Sequence, residues 1–298
     1  MEIVLARNSG FCFGVKRAIN LAQEAIRKSR LPVYSVGPII HNPQEVERLT
    51  KLGLIPVQTL KGVRKGKLVV RSHGVHPATL HEAREKGIEI VDATCPLVRK
   101  AQEYARFLAN EGYRVCVVGE ADHPEVLAIV GFAGKDTLIL DSPLSLARLR
   151  HVARLGVIAQ TTLSYEVFQF YLSKLIEKTD ELRVFNTICK AAVVRQKATL
   201  KVAKKADLML VVGGRNSANT TRLFELCRMS GREAYHIETA DEIDERWLQG
   251  KGRVGVTAGA STPDWVIESV LGRLKRTKAG DVRASYKRAR GKHAKSRG

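Results

Sequence analysis
One arrangement occurs three times in this chain and limits what it can become. A short apolar strand ends in a polar segment carrying a single cysteine, and an amphipathic helix starts directly after it. Ile3-Val4-Leu5 leads through Asn8-Ser9-Gly10-Phe11 to Cys12 and a helix expected from Val15 to Ser29. The run Gly87 to Val91 leads through Asp92-Ala93-Thr94 to Cys95, and Pro96 suits the first turn of a helix expected to reach Glu111. Leu182-Arg183-Val184-Phe185 leads through Asn186-Thr187-Ile188 to Cys189 and a helix expected from Val193 to Ala206. Each helix is followed by a strand ending in glycine, at Gly37, Gly119 and Gly213. The cysteine-to-glycine separations are 25, 24 and 24 residues.

The repetition extends further. A polar loop follows each of these glycines: Ile40 to Val46, Asp122 to Val126 and Arg215 to Thr220. A helix and a strand come next, and the strand ends in a second polar loop: Arg71 to Val75, Gln160 to Ser164 and Ala258 to Pro263. Strands alternating with helices specify small, largely parallel α/β units, whose ligands gather at the carboxyl ends of the strands. All the polar loops lie there. The expected division is a first unit over residues 12–95, a second over 96–188, and a third over 189–277 completed by the N-terminal strand within 1–11. Three such units facing a common centre predict pseudo-threefold symmetry, with three cysteines and two rings of polar loops brought together.

Composition sets the surroundings of this scaffold. A chain of 298 residues with 44% hydrophobic content can bury a sizeable core. It has no apolar run long enough to span a bilayer. Met1-Glu2-Ile3-Val4 lacks the pattern of a signal peptide, so a cytoplasmic protein is expected. Five cysteines in a chain too large to need staples suit a reducing compartment and point to metal binding or chemistry. The net charge is +20, and residues 278–298 contribute eight Lys or Arg against one Asp, reading as a disordered basic tail. A solvated tail and one attracted to nucleic acid or an acidic protein are both compatible with that composition.

Three isolated cysteines cannot make a Cys₄ site and are not the paired cysteines of a zinc ribbon. Three thiolates can hold a 4Fe-4S cluster by three corners, leaving the fourth iron open to substrate. Cys116, mid-strand, and Cys227, on an apolar helix face, read as buried core residues instead. His41, His73 and His123 occupy repeat-related loops and suggest an anion site, since imidazolium and donor side chains suit phosphate oxygens. Ser217, Asn219 and Ser261 add neutral donors from the third unit. The other histidines read as surface or local residues. Glu125 could deliver a proton if enclosed, or could simply favour a helix N-terminus. Thr161 could relay a proton or hold a hydroxyl, or could merely close a strand. There is no phosphate-binding Gly-x-x-x-x-Gly-Lys motif and no convincing dinucleotide fingerprint, so electrons for a redox reaction would come from another protein.

Over residues 1–275 these motifs resemble the 4-hydroxy-3-methylbut-2-enyl diphosphate reductase family of the non-mevalonate isoprenoid pathway. The resemblance is carried by Gly10-Phe11-Cys12-Phe13-Gly14-Val15, Gly37-Pro38-Ile39-Ile40-His41-Asn42, Arg71-Ser72-His73-Gly74 and Asp92-Ala93-Thr94-Cys95-Pro96. It continues through His123-Pro124-Glu125-Val126, Gln160-Thr161-Thr162, Asn216-Ser217-Ala218-Asn219 and Gly259-Ala260-Ser261-Thr262-Pro263. It implies a trefoil of three α/β domains around a 4Fe-4S cluster held by Cys12, Cys95 and Cys189. It also implies diphosphate binding by His41, His73, His123, Ser217, Asn219 and Ser261, with Glu125 and Thr161 as catalytic groups.

The reaction so implied is reductive dehydroxylation of the allylic diphosphate to isopentenyl and dimethylallyl diphosphate. Two electrons would come from a ferredoxin or flavodoxin. Two positions depart from the family pattern: Ala192 stands where a threonine is usual and Ala128 where a glycine is usual. Two other classes are compatible with parts of the chain. One is an RNA- or ribosome-associated protein acting through the tail. The other is a different three-cysteine cluster enzyme such as a dehydratase, although the histidine and Ser/Asn loops favour a diphosphate over a plain carboxylic acid.

Overall fold
The computed structural model describes residues 1–277; the basic tail singled out above lies outside the described residues. The chain begins with β1 (Glu2–Leu5), α1 (Phe13–Lys28), β2 (Val33–Val36), α2 (Pro43–Lys51), β3 (Leu54–Val57), β4 (Lys67–Val70), α3 (Pro77–Glu85) and β5 (Glu89–Asp92). It continues with α4 (Pro96–Asn110), β6 (Arg114–Val118), α5 (Pro124–Ala133), β7 (Leu138–Leu140), α6 (Pro143–Ala147), β8 (Val152–Ala159), α7 (Tyr165–Leu175) and β9 (Thr179–Phe185). It closes with α8 (Lys190–Ala203), β10 (Leu208–Val212), α9 (Ala218–Met229), β11 (Glu233–Ile237) and β12 (Arg253–Ala258). A final helix covers residues 264–277.

The fold is α/β with three four-stranded parallel sheets, ordered β3-β2-β4-β5, β7-β6-β8-β9 and β1-β12-β10-β11. The strands β3, β7 and β11 each lie at one edge of their sheet. The strand leading to a cysteine (β5, β9 or β1) lies at the other edge. Edge strands β3, β7 and β11 were not legible as part of the repeat. They span only three to five residues, and Pro56 in β3 sits where an edge tolerates a missing N–H. Central strands read plainly. All five residues of Leu208–Val212 are buried, as a parallel strand covered on both faces requires.

The described chain divides into two compact units, one of residues 12–194 and one of residues 1–11 with 195–277. The 12–194 unit holds the first two sheets. Leu60, Leu68, Val70, Val75 and Ile88 form a core against the first sheet. The second sheet is covered on one face by Cys116, Leu155, Val157, Phe168 and Leu175, and on the other by Leu108, Val115, Val117, Ile129 and Ile158. The other unit packs Leu210, Val256, Val266, Val270 and Leu274 about the third sheet. Cys116 and Cys227 are fully buried, and burial pushes both thiols up to about 12, so neither offers a thiolate.

Helix starts differ from the sequence reading by one to three residues. Cys12 is itself the N-cap of α1, and its sulfur accepts the Val15 N–H at 3.5 Å, so the helix begins at Phe13. Pro96 does take the first helical position, with Cys95 as N-cap. The strand expected from Gly87 begins at Glu89, because Gly87 has φ +63° and closes the turn after α3.

Candidate active site
In the 12–194 unit the loops at the strand ends are tied to one another by their backbones. Ser72, next to His73, donates its N–H to the Ile39 carbonyl at 3.2 Å. The Cys95 N–H donates to the Ser72 carbonyl at 2.9 Å. Arg17 of α1 donates to the carbonyls of Thr94 and Asp92, fixing the segment before Cys95. Gly14 is glycine for a local reason: a Cβ there would lie 2.5 Å from the Cys95 sulfur. The Cys95 thiol is pushed up by burial, and the N–H groups of Leu97 and Val98 pull it back down. The charges of Cys12 and Cys189 raise it further, so both of those sulfurs stand within electrostatic reach of the Cys95 sulfur. None of them is in a disulfide.

His41, His73 and His123 converge. Ring centroids are 4.2 Å apart for His41–His73, 5.2 Å for His41–His123 and 5.5 Å for His73–His123. One ring nitrogen from each lies within 4.8 Å of the others. His123 is the N-cap of α5, and its Nδ1 accepts the Glu125 N–H at 3.1 Å. That leaves the proton of the neutral ring on Nε2, as a donor facing away from the helix. Nδ1 of His73 is shielded from solvent and holds no protein hydrogen bond.

The expectation of imidazolium rings is corrected here. Burial foremost, and then neighbouring positive charge, lower all three. His41 falls to about 4, His123 to about 3, and His73 well below its ordinary range. Without an anion the three rings are neutral donors at physiological pH. Arg71 is among the charges responsible for all three shifts. It stands inside the Arg71-Ser72-His73-Gly74 motif, where no sequence pattern separates it from surface arginines.

Glu125, the second residue of α5, is only 2% exposed. Its Oε1 accepts the Thr161 N–H at 2.6 Å and its Oε2 accepts the Thr161 hydroxyl at 2.8 Å. Burial raises its pKa to about 7 against the pull of those two donors, and the Glu120 charge adds to the rise. The Thr161 carbonyl in turn accepts the Cys189 N–H at 2.8 Å. The buried carboxyl group is therefore tied by Thr161 to the backbone of one of the three cysteines.

In the other unit Ser217 is the N-cap of α9, its Oγ accepting the Thr220 N–H at 3.4 Å. Asn219 accepts the Ala260 N–H at 2.9 Å and so joins its loop to the one carrying Ser261. All three side chains are buried at the carboxyl ends of β10 and β12. Arg195 donates to the carbonyls of Asn8 and Gly10, pinning the segment that leads to Cys12. Of the remaining histidines, His76, His81 and His151 are exposed and His236 donates its Nε2–H locally to the Gly213 carbonyl, as read from the sequence; His293 lies outside the described residues.

Parallel α/β sheets carrying buried neutral imidazoles, and a buried carboxyl group raised to about 7, form a candidate site of the kind an enzyme uses for proton transfer. The pattern of the LytB protein family matches residues 3–275. The 4-hydroxy-3-methylbut-2-enyl diphosphate reductase of Geobacter sulfurreducens is 49% identical over 274 residues, covering 92% of this chain and 97% of that protein. The enzyme of the same name from Pelobacter propionicus is 47% identical, with 92% and 98% covered. A solved (E)-4-hydroxy-3-methyl-but-2-enyl diphosphate reductase, described as the terminal enzyme of the non-mevalonate pathway, superposes with a TM-score of 0.66 at 40% identity, covering 93% of this chain and 100% of that one. The E-1-hydroxy-2-methyl-but-2-enyl-4-diphosphate reductase of Plasmodium falciparum superposes with a TM-score of 0.87 at 29% identity, with 91% and 87% covered. The chain belongs to the LytB family.

Proposed function
We propose that this chain is a 4-hydroxy-3-methylbut-2-enyl diphosphate reductase. It takes the allylic diphosphate, two electrons and two protons to isopentenyl or dimethylallyl diphosphate and water. The observation that carries this reading is the row Glu125–Thr161–Cys189, which joins a carboxyl group of raised pKa, through Thr161, to the backbone at the start of the helix that follows one of the three cysteines.

The donor set fits a 4Fe-4S cluster. Cys12, Cys95 and Cys189 each stand at a helix start, where N–H groups favour thiolates, and Gly14 keeps a Cβ out of the space beside the Cys95 sulfur. Three thiols and no fourth suit a cluster with one iron open to substrate. Bound there, the cluster would supply the electrons and a Lewis-acidic iron. His41, His73 and His123, with Ser217, Asn219 and Ser261, bind the diphosphate oxygens and orient the substrate. Glu125, raised to about 7, is protonated in a large share of molecules near neutral pH and gives that proton up as the C–O bond breaks and the oxygen leaves as water. Thr161 holds both carboxyl oxygens of Glu125 and fixes where that proton sits.

The same reading assigns the three-unit division at 12–95, 96–188 and 189–277. It also assigns a cytoplasmic site of action, and an acidic ferredoxin or flavodoxin as electron donor to this basic chain. No helix among the described residues is long and apolar enough to cross a membrane. The test is anaerobic: reconstitute the protein with iron and sulfide, supply a reduced one-electron dye, and add the allylic diphosphate. Dye oxidation that depends on substrate and on bound iron is expected. A fully loaded protein that leaves the dye reduced refutes the proposal.

A further inference from the structure
Arg71 is a cation beside the histidine cluster with no part in the chemistry proposed above. It follows β4 directly. Its Nε donates to the Gly74 carbonyl at 3.1 Å, and it makes no other hydrogen bond among the described residues. Other arginines of the chain meet carboxylates: Arg48 pairs with Glu45, Arg99 with Asp92, Arg154 with Glu181 and Arg215 with Glu242. Arg71 is in no ion pair among the described residues. Its side chain is half-buried, and burial alone lowers its pKa, with no acid compensating. The fold makes room for it: Gly37 has φ +71°, and a Cβ there would come within 2.7 Å of the Arg71 Nη1.

A guanidinium withdrawn from water without a counter-charge costs free energy. Here a ligand can supply the counter-charge, because the groups beside it are neutral imidazoles. A fixed cation also speaks against a metal ion on the three histidines, which would place two positive charges side by side. An anion is favoured by the same cation, and a planar guanidinium matches two phosphate oxygens at once.

We propose that Arg71 is a specificity residue of the anion site, supplying the positive charge that selects a diphosphate over a singly phosphorylated ligand, while the three histidines supply directional donors. This rests on the diphosphate reading of the histidine cluster. Its two unbonded Nη groups take diphosphate oxygens, and its contribution grows with the charge on the ligand.

The test uses the full chain and inorganic diphosphate, with orthophosphate in parallel, titrated by calorimetry into wild type, Arg71→Met, Arg71→Gln and Arg71→Lys. The neutral variants should bind diphosphate roughly 10–100-fold more weakly, the scale of a lost charged hydrogen bond, and orthophosphate should suffer less. Lysine should restore part of the affinity, since it keeps the charge and loses the fork. In turnover KM should rise by a similar factor, with kcat within about threefold, as expected for lost ground-state binding. A folded Arg71→Met or Arg71→Gln protein that binds diphosphate within about twofold of wild type overturns the assignment. If both neutral variants melt, wild type decides alone: preference for diphosphate over orthophosphate should exceed roughly tenfold, and equal affinities overturn the assignment. Wild type that binds diphosphate but does not reduce the allylic substrate refutes the reductase reading and leaves the role of Arg71 intact.

Discussion

Replacing Glu125 with glutamine tests the raised carboxyl pKa without needing turnover. Glutamine keeps the shape of the side chain and cannot ionise. Burial takes the Glu125 pKa from 4.5 to about 7 in the folded protein. In the unfolded chain the group returns to its ordinary value. Between those values the folded state holds a proton that the unfolded state has lost. The group's contribution to stability is thus full below pH 4.5 and is lost as pH rises through 7. Integrated between pH 5 and pH 8, the loss is about 2.5 kcal/mol, good to a factor of two. All other titrating groups are common to both proteins and cancel in the difference. Wild type should therefore lose about 2.5 kcal/mol relative to Glu125→Gln over that range, whatever the fixed effect of the amide. The assay is urea unfolding of the metal-free proteins at pH 5 and pH 8. A relative change below about 0.5 kcal/mol would mean that the carboxyl group titrates normally, and the proton-donor role would fall with it. The same variant, loaded with iron, should turn over roughly 10²–10⁴-fold more slowly.

Cys95→Ser should fail to retain a full iron complement after anaerobic reconstitution, and a complete iron count in that variant would remove the cluster from the proposal. Gly14→Ala should lower iron retention more mildly, because its methyl group would sit 2.5 Å from the Cys95 sulfur and force it aside; iron analysis against wild type decides. His41→Phe keeps a ring and removes both nitrogens, so inorganic diphosphate should bind roughly tenfold more weakly or worse by calorimetry; unchanged affinity would detach His41 from the anion site. Gly156→Ala should destabilise the protein by about 1–3 kcal/mol, seen as a lower melting temperature. Its Cβ would press on three carbons of Leu108 at 2.7–3.0 Å, and an unchanged melt would show that this core yields easily.

The repeat was legible because each cysteine lies between two strong local signals, an apolar strand and a helix start. Pro96 marks the second of these outright. The edge strands were not legible, because three to five residues such as Leu138–Leu140 have no period to read and depend on a neighbour for their hydrogen bonds. The histidine loops could be grouped by their repeat positions. Their protonation state could not, since it depends on burial and on Arg71, which the fold brings to them. The same holds for Glu125. The sequence offers a glutamate at a helix start, a common surface arrangement, and only packing removes its water. Arg71 itself was invisible as a special residue: what distinguishes it is the lack of a carboxylate partner among the described residues, a property of the surroundings and not of the motif.

The pairing of β1 with β12 joins residues 251 apart, as in the Arg253–Glu2 ion pair across that edge. On the ribosome, β1 is made first, and its partner appears only after about 250 further residues, roughly 12–50 s later at ordinary elongation rates. The strands β2 to β9 can pair meanwhile among themselves. The third sheet must wait until β12 has been made, with Ile3, Val4 and Leu5 exposed to other contacts until then. Of the strand pairings among the described residues, β1 with β12 closes the longest loop. Shortening the protein before Ala258 would then strand its first residues as well as its last.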